Sequence, residues 1–401
     1  VTWCLGALMV GTFVMDKIGK FQIIKKLGEG ATSVVWLGHD PFAERDVAIK
    51  VVASSVFSEG EHGKIARNLF VTEASLAGKL VHPHIVQIYD AVADADPSYI
   101  VMEYVAGGTL EPYCTPDRLL PMVDLVEMIF KCTRALDFAY RLGVIHRDLK
   151  PANILRAGSS GSDVKISDFG AALSASSDQT AVAGIGSPAY MSPQQVKDHP
   201  LNHQSDIFSL GVVMYQLLTG QLPFQGSNNI SIVYQIANVE PPPPSALRKG
   251  IPPAVDAIVM RAMKKSLEER YPTWDAFSFD LAETFRNEHL EEARERIADT
   301  EKFNTLRGLA FFRDFSDVQL WELLGFSDWQ RVKPGTVLMH EGQPGDNFCI
   351  LAAGEVKVTK NAKLLNVLSA GECFGEMAYL NEAAGTRGAD VPTLREATVI
   401  T

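Results

Sequence analysis

The chain has 401 residues, 46% of them apolar and 21% charged, a composition that excludes disordered, collagenous and disulfide-scaffold classes and leaves length for more than one domain. Its 37 basic and 48 acidic residues give a formal charge of −11, which argues against a general nucleic-acid binder. The cysteines (Cys4, Cys114, Cys132, Cys349 and Cys373) form no C-x-x-C pair, so no zinc site or disulfide framework is expected and a reducing, cytoplasmic setting fits best.

No run reaches the ~18 apolar residues of a transmembrane helix. The most apolar stretch, Val1–Val14, is too short for one and lacks the basic leader of a signal peptide. Residues 1–20 read either as an extension starting at Val1 or as extraneous sequence ahead of a true start at Met15.

From Phe21 to about Leu110 the pattern is mainly β, with Val- and Ile-rich runs at Val34–Leu37, Val47–Val52 and Tyr99–Val101. Ile65–Leu80 interrupts them with an apolar stripe of helical period. From Met122 to Phe285 the signal is helical, strongest in Val123–Arg141, Ser205–Thr219 and Val255–Lys265, and Pro241–Pro244 is a rigid connector within it. The charge-dense Arg286–Lys302 reads as an exposed linking helix. After Leu306, short strands recur between glycines, the texture of a β-barrel or roll. The expected division is a leader (1–20), an α+β unit (21–285), a charged linker (286–307) and a smaller β unit (308–401).

In the first unit, Gly28 and Gly30 of Leu27-Gly28-Glu29-Gly30 lie between two expected strands, where missing side chains let backbone N–H groups approach phosphates. A strand follows, which disfavours a dinucleotide-binding βα turn. Lys50, in the apolar strand Val47-Ala48-Ile49-Lys50, requires an anion if it is buried, and bound phosphates or Glu73 on the next helix can supply one; the alternative is a surface-facing lysine on an edge strand. His146-Arg147-Asp148-Leu149-Lys150-Pro151-Ala152-Asn153 brings a base, a cation and an amide together, and Asp168-Phe169-Gly170 ends a short strand. A hydroxyl nucleophile needs a carboxylate to take its proton, which Asp148 can do. Mg²⁺ prefers oxygen ligands such as Asp168 and the Asn153 amide.

In this order these motifs resemble the eukaryotic-type protein kinase family, over about Phe21 to Phe285. Val101-Met102-Glu103-Tyr104-Val105 looks like the hinge, Gly186–Gln194 like the end of the activation segment, Asp206–Gly211 like the helix anchoring the catalytic loop, and Arg270 like the late structural arginine. The resemblance implies a bilobal fold with a β-rich N-lobe and a helical C-lobe. It also implies transfer of the ATP γ-phosphoryl group to Ser or Thr hydroxyls of protein substrates. Asp148 would be the base, Lys150 would contact the transferring phosphate, and Asn153 with Asp168 would hold Mg²⁺. Lys50, held by Glu73, would clamp the α- and β-phosphates. Val35, Ala48, Met102, Glu103 and Val105 would line the ATP site, Met102 as gatekeeper. Two departures stand out: Ser33 replaces a loop glycine, and Gln194 replaces the glutamate that usually pairs with the late arginine. Arg147 implies coupling to an activation-segment phosphate, with Thr180 the preferred site. The competing reading is an ATP-binding pseudokinase scaffold with a ligand-free docking module.

The second unit resembles the cyclic-nucleotide-binding domain family from about Gly308 onward. The phosphate-binding cassette opens F-G-E, here Phe374-Gly375-Glu376, and closes R-x-A-x-V. Arg387-Gly388-Ala389-Asp390-Val391 and Arg395-Glu396-Ala397-Thr398-Val399 both fit that closing string, and the shorter spacing favours Arg387 and Ala389. Gly375 and Glu376 would then face a cAMP or cGMP effector, with no choice between the two. Helices beyond the last strands would cap the base in this family, so the expectation is a truncated β-roll with an incomplete pocket.

Overall fold

The structure, a computed structural model, describes residues 16–30, 33–52, 61–76, 78–93, 95–158, 161–169, 173–174, 188–286, 297–345, 347–376 and 394–401. The chain divides into two compact units, with the boundary between Asp280 and Leu281. Among the described residues no helix is long and apolar enough to cross a membrane.

The first unit opens with strands β1 (Lys17–Ile18), β2 (Phe21–Glu29), β3 (Val34–Asp40) and β4 (Arg45–Val52), helix α1 (Glu61–Ser75), and strands β5 (Ile88–Val92) and β6 (Ser98–Glu103). The strands form one antiparallel sheet in the order β1-β2-β3-β4-β6-β5. Strand alternation decides what each side of β4 does. Val47, Ile49 and Val51 enter a core with Phe21, Tyr99 and Val101, while Ala48 and Val52 enter another with Phe70, Ile100 and Met102. Lys50 shares the face of Ala48 and Val52, so its stem runs toward α1, which carries Phe70 and, three residues on, Glu73.

The helical lobe follows: α2 (Met122–Arg141), β7 (Val144–Ile145), β8 (Ile154–Arg156), β9 (Val164–Ile166), β10 (Leu173–Ser174), α3 (Pro193–Val196), α4 (His203–Thr219), α5 (Asn229–Asn238), α6 (Pro253–Ala262) and α7 (Trp274–Arg286). Helices α2 and α4 are buried nearly all round and form the lobe's core; α4 is apolar over most of its surface, whereas α2 also buries Glu127, Lys131 and Arg134 as members of ion pairs. Asn202 caps α4 by accepting from the Gln204 amide at 2.9 Å. Gly220 ends the helix in the left-handed region at φ 74° with its amide on Gln216 O. The lobe holds residues 146–153, expected to form the catalytic loop, between β7 and β8, strands only two and three residues long.

The second unit contains α8 (Asp299–Gly308), α9 (Asp317–Phe326), β11 (Val337–Met339), β12 (Cys349–Ile350), β13 (Glu355–Lys360), β14 (Lys363–Ser369), β15 (Cys373–Phe374) and β16 (Thr398–Ile400). Its strands pair as β11-β16-β13-β14 and β12-β15 around Met339, Val356, Leu368, Phe374 and Val399, an architecture consistent with the expected β-roll. Residues 287–296 of the expected linker lie outside the described residues. The stretch after them is no exposed connector: Thr300, Phe303 and Leu306 of α8 are buried, and Phe303 stacks on Trp321 of α9 at 4.7 Å. Charge density on one face of α8 hid an apolar stripe on the other.

Candidate active site and nucleotide pocket

The Lys50 ammonium is bonded to two carboxylates, Glu73 at 2.7 Å and Asp168 at 2.8 Å. Burial disfavours the ammonium, but Asp168 and Glu73 together outweigh it and raise its pKa above the ordinary lysine value. For Asp168, burial alone would raise the pKa; Lys50 reverses that and holds it below the usual carboxylate range. Glu73 is nearly enclosed, and burial raises its pKa despite Lys50. Asp168 retains 41% of its side chain accessible, so it is open to a further cation. Its φ of 63°, unusual for a non-glycine residue, turns the carboxylate onto Lys50. The edge-strand alternative for Lys50 is thereby excluded.

Register carries the other cleft residues. Gly28 lies opposite Val35, Val35 opposite Lys50, and Ala48 opposite Met102. The Gly30 amide bonds to Ser33 O at 2.8 Å, folding the glycine loop back on itself. Val35, Ala48, Met102 and Val105 gather in one apolar cluster with Leu155 of β8. Sequence reasoning missed Leu155; the signal was its position two residues after Asn153.

The catalytic loop hangs on Asp206, whose carboxylate accepts from the amides of His146 at 2.7 Å and Arg147 at 2.8 Å. Arg147 takes a φ of 68°, and Gln195 donates to its carbonyl at 2.8 Å. His146 packs its ring on Phe169 at 4.5 Å and reaches Ser167 O at 3.0 Å. Asp148 then stands at the mouth, paired with Lys150 Nζ at 2.6 Å. The Asn153 amide nitrogen donates to Asp148 O at 2.8 Å and to its carboxylate at 3.2 Å, which leaves Asn153 Oδ1 as an acceptor for a cation. A carboxylate, an ammonium, an amide oxygen and the Lys50–Asp168 pair thus face one cleft. A hydroxyl and a polyphosphate are what such a set can handle.

Gln194 gives Arg270 a hydrogen bond in place of an ion pair: Arg270 donates to its Oε1 from both terminal nitrogens, each at 3.2 Å. Thr180 lies outside the described residues.

In the second unit a cavity of about 220 Å³ is lined by Met339, Leu368, Phe374, Gly375, Glu376 and Arg395, among others. Glu376 Oε2 is buried there with no hydrogen-bond partner among the described residues, a carboxylate oxygen aimed at something that donates. Gly375 has φ 87°, and a side chain at that position would close on Met339 and Arg395 at under 3 Å. Arg395 is buried and donates to Gly375 O at 2.7 Å and Asn347 Oδ1 at 2.5 Å. Of the two competing arginines, the structure places Arg395 at this cavity; Arg387 and Ala389 lie outside the described residues.

Comparison with known proteins matches residues 21–278 to the protein kinase domain and residues 329–401 to the cyclic nucleotide-binding domain. Curated relatives include the serine/threonine-protein kinases PknB of Mycobacterium leprae, 38% identical over 270 residues (65% of this chain, 42% of the relative), and PknB of Mycobacterium tuberculosis, 35% identical over 299 residues (73% and 47%). PrkC of Bacillus subtilis is 34% identical over 286 residues (71% and 43%). The chain spans less than half the length of these relatives.

Proposed function

The chain belongs to the protein kinase family, and from that premise we propose that it transfers the γ-phosphoryl group of ATP to Ser or Thr hydroxyls of protein substrates. The observation that carries the reading is the pair of salt bridges from Lys50 to Glu73 and to Asp168. On this reading the lysine would meet the phosphates, with the carboxylate that would bind the metal beside it. Val35, Ala48, Met102, Val105 and Leu155 would enclose adenine, with the backbone of Glu103 and Val105 as its hydrogen-bonding edge. Asp148 would take the substrate hydroxyl's proton while Lys150 neutralises charge on the transferring phosphate. Asn153 Oδ1 and Asp168 fit Mg²⁺, which takes one or two protein oxygens and completes its shell from phosphates and water. Bound there, the ion would neutralise phosphate charge.

The test is phosphate incorporation into a Ser/Thr protein substrate with Mg-ATP. Asp148→Ala should abolish it while leaving ATP binding intact. Incorporation that persists would assign the chemistry to another protein, and a wild-type chain that binds ATP without turnover would establish the pseudokinase alternative.

Thr180 is the proposed regulatory phosphosite, whose phosphate would couple to Arg147. Phosphopeptide mapping after incubation with Mg-ATP checks it: activity that develops with Thr180 unmodified would rule it out.

For the second unit the reading is a cyclic-nucleotide sensor, supported by the buried, unpartnered Glu376 oxygen beside Arg395 in one cavity. Glu376 would accept from a ribose hydroxyl and an arginine would meet the phosphate. Regulation requires that cAMP or cGMP bind one state of the kinase better than another. Equal kinase rates of the full chain with and without either nucleotide would refute it. A cytoplasmic setting is part of the proposal: Cys114, Cys132, Cys349 and Cys373 are all free thiols.

A further inference from the structure

We propose that Lys165 is a positioning residue which, through its ion pair with Glu103, fixes the distance between the hinge and the Asp168 carboxylate; the proposal rests on the kinase reading above. Lys165 Nζ lies 2.9 Å from Glu103 Oε2, with only 18% and 25% of the two side chains accessible. Glu103 sits at the end of β6, where adenine would bond to the backbone. Lys165 sits on β9, just ahead of Ser167 and Asp168. ATP must reach from the first point to the second.

The surroundings separate this pair from an incidental surface contact. Glu103 is itself fixed: the Gln87 amide donates to its Oε2 at 3.3 Å, and its own amide donates to Gln87 O at 2.8 Å. On the other side β9 is held on both flanks, by its ladder with β8 and by a bridge from Ile166 to Ile85. Ile166 pairs with Ile154 of β8, its amide donates to His84 O at 2.9 Å, and its carbonyl accepts from Val86 at 2.8 Å. The segment 84–87 therefore bonds to β9 at one end and to the hinge at the other. The Lys165–Glu103 pair closes that loop with a side-chain strut. An exposed pair of lysine and glutamate would be screened and mobile, contributing little. This one is half-buried and shares its acceptor oxygen with a backbone amide, so its geometry is held.

A strut of this kind has a specific signature. A ligand that occupies only the hinge does not require the correct distance, whereas one that spans hinge and metal does. Calorimetric titration of the full chain with adenosine and with Mg·AMP-PNP separates the two. Lys165→Met should weaken Mg·AMP-PNP about fivefold and leave adenosine within about twofold. Glu103→Gln should match it, and the double variant should be no weaker than either single one. Lys165→Arg, which keeps the cation, should retain wild-type affinity and guards against misreading a variant that fails to fold. Equal losses for both ligands, no loss for either, or additive losses in the double variant would overturn the proposal. These readouts are binding constants, so failure of the kinase reading shows separately, as a wild-type chain that binds Mg·AMP-PNP but transfers no phosphate from ATP.

Discussion

Arg270 turns both terminal nitrogens of its guanidinium onto a single oxygen, Gln194 Oε1. The arginine is fully buried, and burial lowers its pKa to about 10. Its other acceptors are the backbone carbonyls of Lys264, Gln204 and Lys265, so among the described residues no carboxylate hydrogen-bonds to it. Gln194→Glu supplies one without changing shape. The arginine's desolvation is already present in the fold, so the variant adds the carboxylate's and gives up the weak Gln194 Nε2 donation to Lys265 O at 3.4 Å, against two charge-assisted bonds. The expected gain is about 1–2 kcal/mol in unfolding free energy by urea denaturation. A variant no more stable than wild type would show that desolvation of the new carboxylate cancels the pairing.

Lys265 introduces a second cation into the same corner. Its ammonium lies 3.8 Å from the Phe224 ring centroid, with no hydrogen-bond partner among the described residues. Burial, with smaller effects from Arg270 and Lys197, lowers its pKa to about 8 although Glu240 acts the other way. The lowered value fixes the sign. Between about pH 8 and the unfolded lysine's 10.5 the unfolded chain binds the extra proton, so this group's contribution to stability rises with pH across that window and is flat below it. Melting of wild type and Lys265→Met at intervals from pH 7 to 10.5 isolates it. The Tm difference, variant minus wild type, should be largest near pH 7 and shrink above pH 8. A difference independent of pH would mean that the ammonium is not desolvated.

Asp206 is the support of the catalytic loop, because each of its oxygens takes one backbone amide from His146 and Arg147. Asp206→Asn keeps one acceptor and turns an NH₂ group onto the other amide, a donor facing a donor in a buried site. The expected destabilisation is about 2–4 kcal/mol. Catalysis should fall at least about tenfold even where the variant is folded, because Asp148 follows directly on the two residues that move. Denaturant titration and kcat on the same preparation check both. A stable variant with unchanged kcat would show that the Arg147 conformation is held by Gln195 alone.

What could be read in advance divides by the range of the determining contact. Lys50 was legible because strand alternation alone puts it on the face of Ala48 and Val52, and Gln194 because a hydrogen bond needs only its amide opposite the arginine. Leu155 carried one local clue, its place two residues after Asn153; the Lys165–Glu103 pair carried none, because it forms only through the β8–β9 pairing and the crossing of segment 84–87. Arg286–Lys302 was read as exposed from its charges, yet Ala298 and Thr300 within it are buried, and Phe303 just beyond it stacks on Trp321 only once α9 folds back. The two arginines of the second unit show the limit most clearly. Both satisfy the same short string, so only the chain's closure distinguishes them. That closure includes the Arg395 amide donating to Gln343 O and the Gly342 amide donating to Arg395 O.

The arginines therefore provide the last prediction. The Arg395 guanidinium spends one N–H on Gly375 O and one on Asn347 Oδ1, which leaves further donors of its five for a phosphate in the cavity. Glu376, with an unpartnered oxygen in the same wall, would meet the sugar if a cyclic nucleotide binds there. Removing an arginine that contacts phosphate forfeits charge-assisted bonds, so Arg395→Ala should weaken cAMP or cGMP binding by the full chain about 30-fold or more. Because the same side chain ties Asn347 to Gly375, a loss of binding alone does not separate contact from support. Arg395→Lys does: a lysine keeps the charge without the fork, so a purely electrostatic role would be partly rescued and a clasping role would not. Arg387→Ala is the decisive companion. If it leaves affinity within about threefold of wild type while Arg395→Ala abolishes binding, the cassette closes at Arg395. If the losses are reversed, it closes at Arg387 and Arg395 holds the loop.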